Sequence, residues 1–304
     1  MEIGIHLPSA QPGATTDGIL RVALDAERDG FETAWMFDHL FTPAAIESKY
    51  PYSREGDYPM SADDPFFDPL GLFGVLAGKT ERIKLGTCVL IGSYRNPVVL
   101  GKMLATVENF APGRIILGLG AGWMREEFDA TGIDYKSRAA RADEYIEALR
   151  AVWSGRSEFT GRFYSWSDAG FLPAPTAPIP IIVGGHGDRA LQRAAKADGW
   201  AAVTGRGQGS GIDALAVRIE VLERFLDKED RSLDGFDIVY TSALWFSDRP
   251  NEKLPLTGPP EHIAKSIARL GELGVTMIDL AVFGPAPLIA ETAARFAAEV
   301  RPLL

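Results

Sequence analysis

Residues 83–123 read IKLGTCVLIGSYRNPVVLGKMLATVENFAPGRIILGLGAGW, and this stretch decides the architecture. Its first segment, 83–90, is a short apolar run of the kind that forms a buried strand. Asn96 and Pro97 supply an N-cap and a first-turn proline, opening a helix that runs to about Phe110. A second strand, 114–119, follows, and the chain leaves it through Gly118, Gly120 and Gly122. Strand, crossover helix and strand in that order make a parallel βαβ unit. In a barrel built from such units the strand ends share one face, and chemistry sits on that face.

The same alternation extends in both directions. Further strands are expected at 3–7, 33–37, 181–183, 200–203, 238–246 and 277–282. Helices are expected from about Asp17 to the stop signal at Gly30, and at 69–78, 188–197, 213–228, 260–273 and 288–300. Between 114–119 and 181–183 the helix is marked by Ala142, Tyr145, Ile146, Leu149, Val152 and Trp153 at spacings of three and four. Eight strand–helix units in 304 residues predict one (β/α)8 TIM barrel with insertions, spanning 1–304. The rival, a doubly wound sheet, announces itself by G-x-G-x-x-G after the first strand. Here that strand ends His6-Leu7-Pro8. Two insertions break the pattern: 157–180, and 41–66, which is rich in Pro, Tyr, Ser and Asp. The second has the length of a functional loop and is read as a lid over the site.

Bulk properties narrow the partners. A formal charge of −10 argues against nucleic acid or an anionic membrane. The single cysteine, Cys88, excludes an intrachain disulfide. The start MEIGIHLPSA lacks the basic and apolar segments of a secretion signal, and no apolar run approaches the ~20 residues of a membrane span. A soluble cytoplasmic protein acting on a small molecule is the expectation.

Candidate chemistry gathers at the strand ends. The second strand delivers Asp38 and His39, a carboxylate beside an imidazole that can exchange protons near neutrality. His6 and His186 also follow strands, whereas His262 opens a helix. The histidines have no zinc-like spacing. Gly184-Gly185-His186-Gly187 passes straight from a strand into a helix. It is either a phosphate cradle of small residues at a helix start or a tight turn that needs glycine for its backbone angles. The run 118–123 leaves room for a flat ligand, with Glu126 and Glu127 in the following first turn. Trp123, Trp200 and Trp245 line a pocket or fill the core. Neither a nucleophile elbow nor a P-loop is present.

These segments together resemble the luciferase-like monooxygenase superfamily, especially its branch that uses the deazaflavin coenzyme F420. The resemblance is carried by TAWMFDHL (33–40), KLGTCVLIGSYRNPVVLGKMLATVE (84–108), RIILGLGAGWMREEF (114–128), PIIVGGHGDRALQRAAKADGW (180–200) and GPPEHIAKSIARLGELGV (258–275). It implies a TIM barrel, a homodimer and a non-proline cis peptide at Cys88-Val89 that backs the cofactor ring. It implies that Asp38 and His39 lie beside the ring, with His39 as proton donor or acceptor and Asp38 orienting it. It places the cofactor phosphate at Gly184, Gly185, His186 and Gly187, with further contacts from Glu126 and Thr204. Sugar-phosphate dehydrogenases of this branch carry a glutamate directly after the glycine run. Trp123 stands there in this chain and implies a more apolar substrate pocket. The expected activity is hydride transfer with F420. The alternatives are FMN with two-component oxygenation, and a flavin-binding barrel without catalysis. Exchange of Asp38 or His39 for alanine is expected to lower turnover more than stability.

Overall fold

The computed structural model describes residues 1–53, 55–203 and 211–304. Eight parallel strands close on themselves: β1 (Glu2–His6), β2 (Thr33–Met36), β3 (Lys84–Thr87), β4 (Ile115–Gly120), β5 (Ile181–Gly184), β6 (Gly199–Val203), β7 (Asp237–Ala243) and β8 (Met277–Ala281). Each pairs with the next, β8 returns to β1, and β3 pairs with β4 to complete the ring. This is the TIM barrel that the strand–helix alternation predicts.

The strand alternation sorts side chains into two cores. Ile3, Ile5, Ala34, Met36, Leu85, Ile115 and Leu117 face outward against the helices. Trp35, Cys88, Ile116, Ile182, Ala201, Val239 and Met277 face inward. Trp35 fills the centre because its neighbours are glycines. A Cβ on Gly4 would lie 2.4 Å from its Nε1, and one on Gly86 would lie 2.4 Å from its Cε3. The barrel is therefore a packed body with an open end only beyond the strand termini.

The helices begin where capping chemistry allows. Thr15 caps α1 (Thr16–Arg28), accepting from Gly18 N. Asp68 caps α2 (Pro69–Ala77), accepting from Leu70 N and Gly71 N. Asn96 caps α3 (Pro97–Phe110), with Pro97 in the first turn. Then come α4 (Arg125–Ala130), α5 (Arg138–Trp153), α6 (Asp188–Ala194), α7 (Ile212–Asp227), α8 (Pro260–Glu272) and α9 (Ala286–Glu299). No helix among the described residues is long and apolar enough to cross a membrane.

The structure corrects the expected elements in four places. The run 83–90 is not one strand: pairing stops at Thr87 and resumes at Leu90–Ile91, on either side of a cis Cys88–Val89 peptide. The run 238–246 leaves the barrel after Ala243, and Trp245–Phe246 pairs with Thr257–Gly258 instead. An apolar run carries no mark of where it changes partner. The insertion 157–180 contains a hairpin, Phe159–Thr160 with Ser165–Trp166. The first turn expected at Glu126 and Glu127 belongs to a separate six-residue helix, α4, and not to the helix marked by Ala142 to Trp153.

Candidate active site

The floor of the open end is a chain of hydrogen bonds between strand termini. His6 on β1 holds Asp279 on β8, with Nδ1 3.0 Å from Oδ2. Thr241 on β7 donates to the same oxygen at 3.1 Å. The Cys88 sulfur lies 3.2 Å from the Thr241 hydroxyl. The hydroxyl hydrogen points to Asp279, so the thiol donates to Thr241. Burial pushes the Cys88 thiol far up, and the Asp279 charge adds to it, so it keeps its proton. The Phe37 ring packs against His6, tilted by 32° with centroids 3.7 Å apart.

Val89 rises beside this floor. A Cβ on Gly120 would stand 2.5 Å from its Cγ2, and one on Gly184 2.6 Å from its Cγ1. The glycines that end β4 and β5 therefore make room for Val89. Gly118 is required for another reason: a Cβ there would strike the Thr87 carbonyl oxygen.

At the rim, His39 meets a carboxylate, but not the one beside it in sequence. Its Nδ1 lies 2.8 Å from Glu127 Oε2 on α4. Tyr94 donates to that oxygen at 2.9 Å, and Leu40 N donates to the other. The Glu127 side chain is completely buried. Burial, and then the charge of Glu127, push the Tyr94 phenol far up, so it remains a donor. Asp38 points the other way along the strand. Both of its oxygens are taken by Arg95, at 2.7 and 2.9 Å, and Ile91 N donates to it at 2.8 Å. Arg95 continues to Asp68, the cap of α2, at 2.6 Å. Asp38 thus ties β2 to the segment after β3, and the orientation of His39 expected from it belongs to Glu127. Both residues follow the end of β2 at Met36, and their side chains take separate partners, Arg95 for Asp38 and Glu127 for His39.

The insertion 41–66 covers the rim. Glu126, next to Glu127 on α4, accepts from Glu47 N at 2.7 Å, Ser48 N at 3.1 Å and Ser48 Oγ at 2.7 Å. Glu126, expected as a cofactor contact, is bonded to the lid in this structure. The far end of the lid docks on the segment after β1, through an Ala10–Phe66 bridge and Phe67 N donating to Ser9 O at 2.9 Å. Between these points Tyr50, Tyr58 and Trp123 form a triangle with centroids 5.2 Å apart. His39 packs against Tyr58, Phe66 and Trp123 at 5.3 to 5.7 Å. Burial pushes the Tyr50 phenol up to about 12 and Tyr58 further. Trp123 is therefore a rim residue. Trp200 is buried behind β6, and Trp245 is largely exposed.

Gly184, Gly185, His186 and Gly187 turn the chain from β5 into α6. Gly185 adopts a φ of +124°, which favours glycine. Its carbonyl accepts from Trp200 Nε1 at 2.8 Å, and the His186 Nε2 is bonded to Val203 O. Burial holds His186 below its usual range, and its Nδ1 is buried without a partner among the described residues. A Cβ on Gly187 would meet nothing within 4 Å among the described residues. Thr204 lies outside the described residues.

Sequence reasoning missed Glu127, Tyr94, Arg95 and Asp279 as parts of these arrangements. Asp279 carried one available signal: a carboxylate inside the otherwise apolar run MIDLA needs a buried partner.

The model of the luciferase-like monooxygenase family matches residues 1–255. An uncharacterized protein of Mycobacterium tuberculosis is 34% identical over 224 residues, covering 71% of this chain and 77% of that protein. The F420-dependent glucose-6-phosphate dehydrogenase of Nocardia farcinica is 31% identical over 265 residues, covering 84% of this chain and 72% of the relative. Among solved structures, an F420-dependent secondary alcohol dehydrogenase in complex with an F420-acetone adduct superposes with a TM-score of 0.78. It is 16% identical, covers 100% of this chain and 99% of the other, and so attests the fold.

Proposed function

The chain belongs to the luciferase-like monooxygenase family, and on that footing we propose that it is an F420-dependent oxidoreductase, transferring a hydride between a small organic substrate and C5 of the deazaflavin. The observation that carries this reading is the His39–Glu127 pair at the mouth of the barrel, beside the Val89 bulge. A buried carboxylate accepting from Nδ1–H fixes the tautomer of the imidazole. It leaves Nε2 as the atom that takes or returns a proton. The relative named for F420 dependence lends further support, since it aligns over most of the chain.

The residues present fit such a cofactor. Val89 offers a convex apolar surface to back a flat ring, and the Gly185–Gly187 turn suits a phosphate tail. Two buried polar atoms, His6 Nε2 and His186 Nδ1, have no partner among the described residues. The cofactor, when bound, supplies the carbon that accepts or gives the hydride. Val89 would back the ring, Gly184, Gly185, His186 and Gly187 would hold the tail, and His39 would take or return the accompanying proton. Trp123, Tyr50 and Tyr58 enclose the substrate side, favouring an apolar alcohol or carbonyl compound over a sugar phosphate.

The test is parallel titration of the purified protein with F420 and FMN, read by tryptophan fluorescence, followed by a panel of alcohols with and without oxygen. Tight F420 binding and oxygen-independent turnover are expected. A preference for FMN with oxygen-dependent turnover would move the protein to the oxygenases of its family. Binding of neither would remove the cofactor assignment.

A further inference from the structure

The His6–Asp279 pair in the floor has no part in the reaction assigned to His39. Its geometry nevertheless describes half of a binding contact. His6 faces the barrel interior, since its neighbours Ile5 and Leu7 face the helices. Asp279 is completely buried and its carboxylate can only accept, so the hydrogen of the imidazole sits on Nδ1. Nε2 is then left with its lone pair. It is buried, in a residue 5% exposed, and has no hydrogen-bond partner among the described residues. Leaving such a group unpaired costs about 1–3 kcal/mol. The packed Phe37 on one face and Asp279 on one edge prevent the ring from turning to find another partner.

We propose that His6 Nε2 accepts a hydrogen bond from the imide N–H at the pyrimidinedione edge of the bound tricyclic cofactor, with Asp279 and Thr241 as positioning residues for that contact. This deepens the reading above and rests on it. In a ring of eight strands β1 stands opposite β5, with β3 halfway between. A cofactor whose tail lies at Gly184–Gly187 and whose ring passes over Val89 extends toward β1 and β8. That edge meets His6 there. The missing partner must be a donor, because Nε2 is an acceptor, and the imide N–H is the donor that F420 and FMN share.

The variant His6→Asn separates the two edges of the imidazole. Its amide nitrogen stands where Nδ1 stands and still donates to Asp279, while nothing reaches the place of Nε2. The experiment titrates wild type and His6→Asn with oxidised F420 and with FMN, reading the dissociation constant and the visible absorption band of the bound cofactor. The expected result is about tenfold weaker binding of whichever cofactor wild type takes, a shifted absorption band and an unchanged melting temperature. Asp279→Asn gives a second route that leaves the imidazole in place. Its amide must turn one N–H toward His6 or Thr241, which disturbs the tautomer, so binding is expected to weaken as well. Equal affinity and an unshifted band in both variants would overturn the proposal and leave His6 as a packing residue. If wild type binds neither cofactor, the functional reading falls and this contact falls with it.

Discussion

The floor and the rim of the barrel mouth each hold a histidine on a buried carboxylate, yet they are built differently. The floor pair, His6 and Asp279, joins residues on hydrogen-bonded neighbouring strands, β1 and β8. Its geometry is set by the sheet itself. The rim pair, His39 and Glu127, joins the end of β2 to a six-residue helix after β4. That helix also holds the lid through Glu126. The floor is thus as rigid as the barrel, whereas the rim is positioned by elements that can move together. On the proposed function, a fixed floor would suit the cofactor and an adjustable rim the substrate.

The sharpest way to break this comparison is to exchange the neighbours Asp38 and His39 separately. Asp38→Ala leaves Arg95 buried without its bidentate partner, and breaking a buried pair costs about 3–5 kcal/mol. The loss should appear as a lower midpoint in urea unfolding. This departs from the expectation that both residues act mainly on turnover. His39→Gln should instead unfold like wild type while its kcat falls about 10³-fold, the scale of a lost general acid or base. If Asp38→Ala kept full stability and lost only activity, the assignment of the two roles would have to be reversed.

Glu127→Gln asks whether the rim histidine depends on its carboxylate. The amide keeps the shape but cannot accept from Leu40 N, Tyr94 and His39 together. We expect kcat to fall about 10²-fold, less than for loss of His39 itself. A KM change without a kcat change would show that Glu127 serves the lid alone. Gly184→Ala probes the bulge between floor and rim. Its Cβ would press on Val89, costing about 1–3 kcal/mol. Most of that cost should vanish in the Val89→Ala background, a coupling that a double-mutant cycle would measure.

How far the sequence carried the reading follows the same division. The barrel was legible because a strand–helix repeat is local, and so was the set of residues at strand ends. The cis peptide at Cys88–Val89 was reached through resemblance, since nothing in TCVL distinguishes it. What resisted reading was pairing across distance. Asp38 and His39 look like partners because they are adjacent, but beyond the end of β2 their side chains turn to different elements. Their true partners, Arg95 and Glu127, lie 57 and 88 residues away. Such contacts depend on how the ring closes, and no periodicity encodes that. The glycine run shows the same limit: the sequence marks where space is needed but not what fills it, which is the Thr87 carbonyl beside Gly118, Val89 beside Gly120 and Phe128 beside Gly122.

The smallest expected effect concerns the latch between lid and rim. Burial pushes the Glu126 carboxyl up, but hydrogen bonds from the Ser48 hydroxyl and the amides of Ser48 and Glu47 outweigh it and hold it below the usual range. A depressed carboxylate contributes stability above its unfolded value of about 4.3, and that contribution is lost as the pH falls through the lower folded value. The latch should therefore stay closed across neutral pH and release only in acid. Glu126→Ala removes it at every pH. The exchange is expected to cost about 1 kcal/mol, seen as faster hydrogen exchange at the amides of Glu47 and Ser48 and a roughly fivefold higher KM. The exchange rate at His6 should not change, because the floor does not share the latch. Faster exchange in both places would mean that lid and floor form one cooperative unit, and the contrast between a fixed floor and an adjustable rim would be lost.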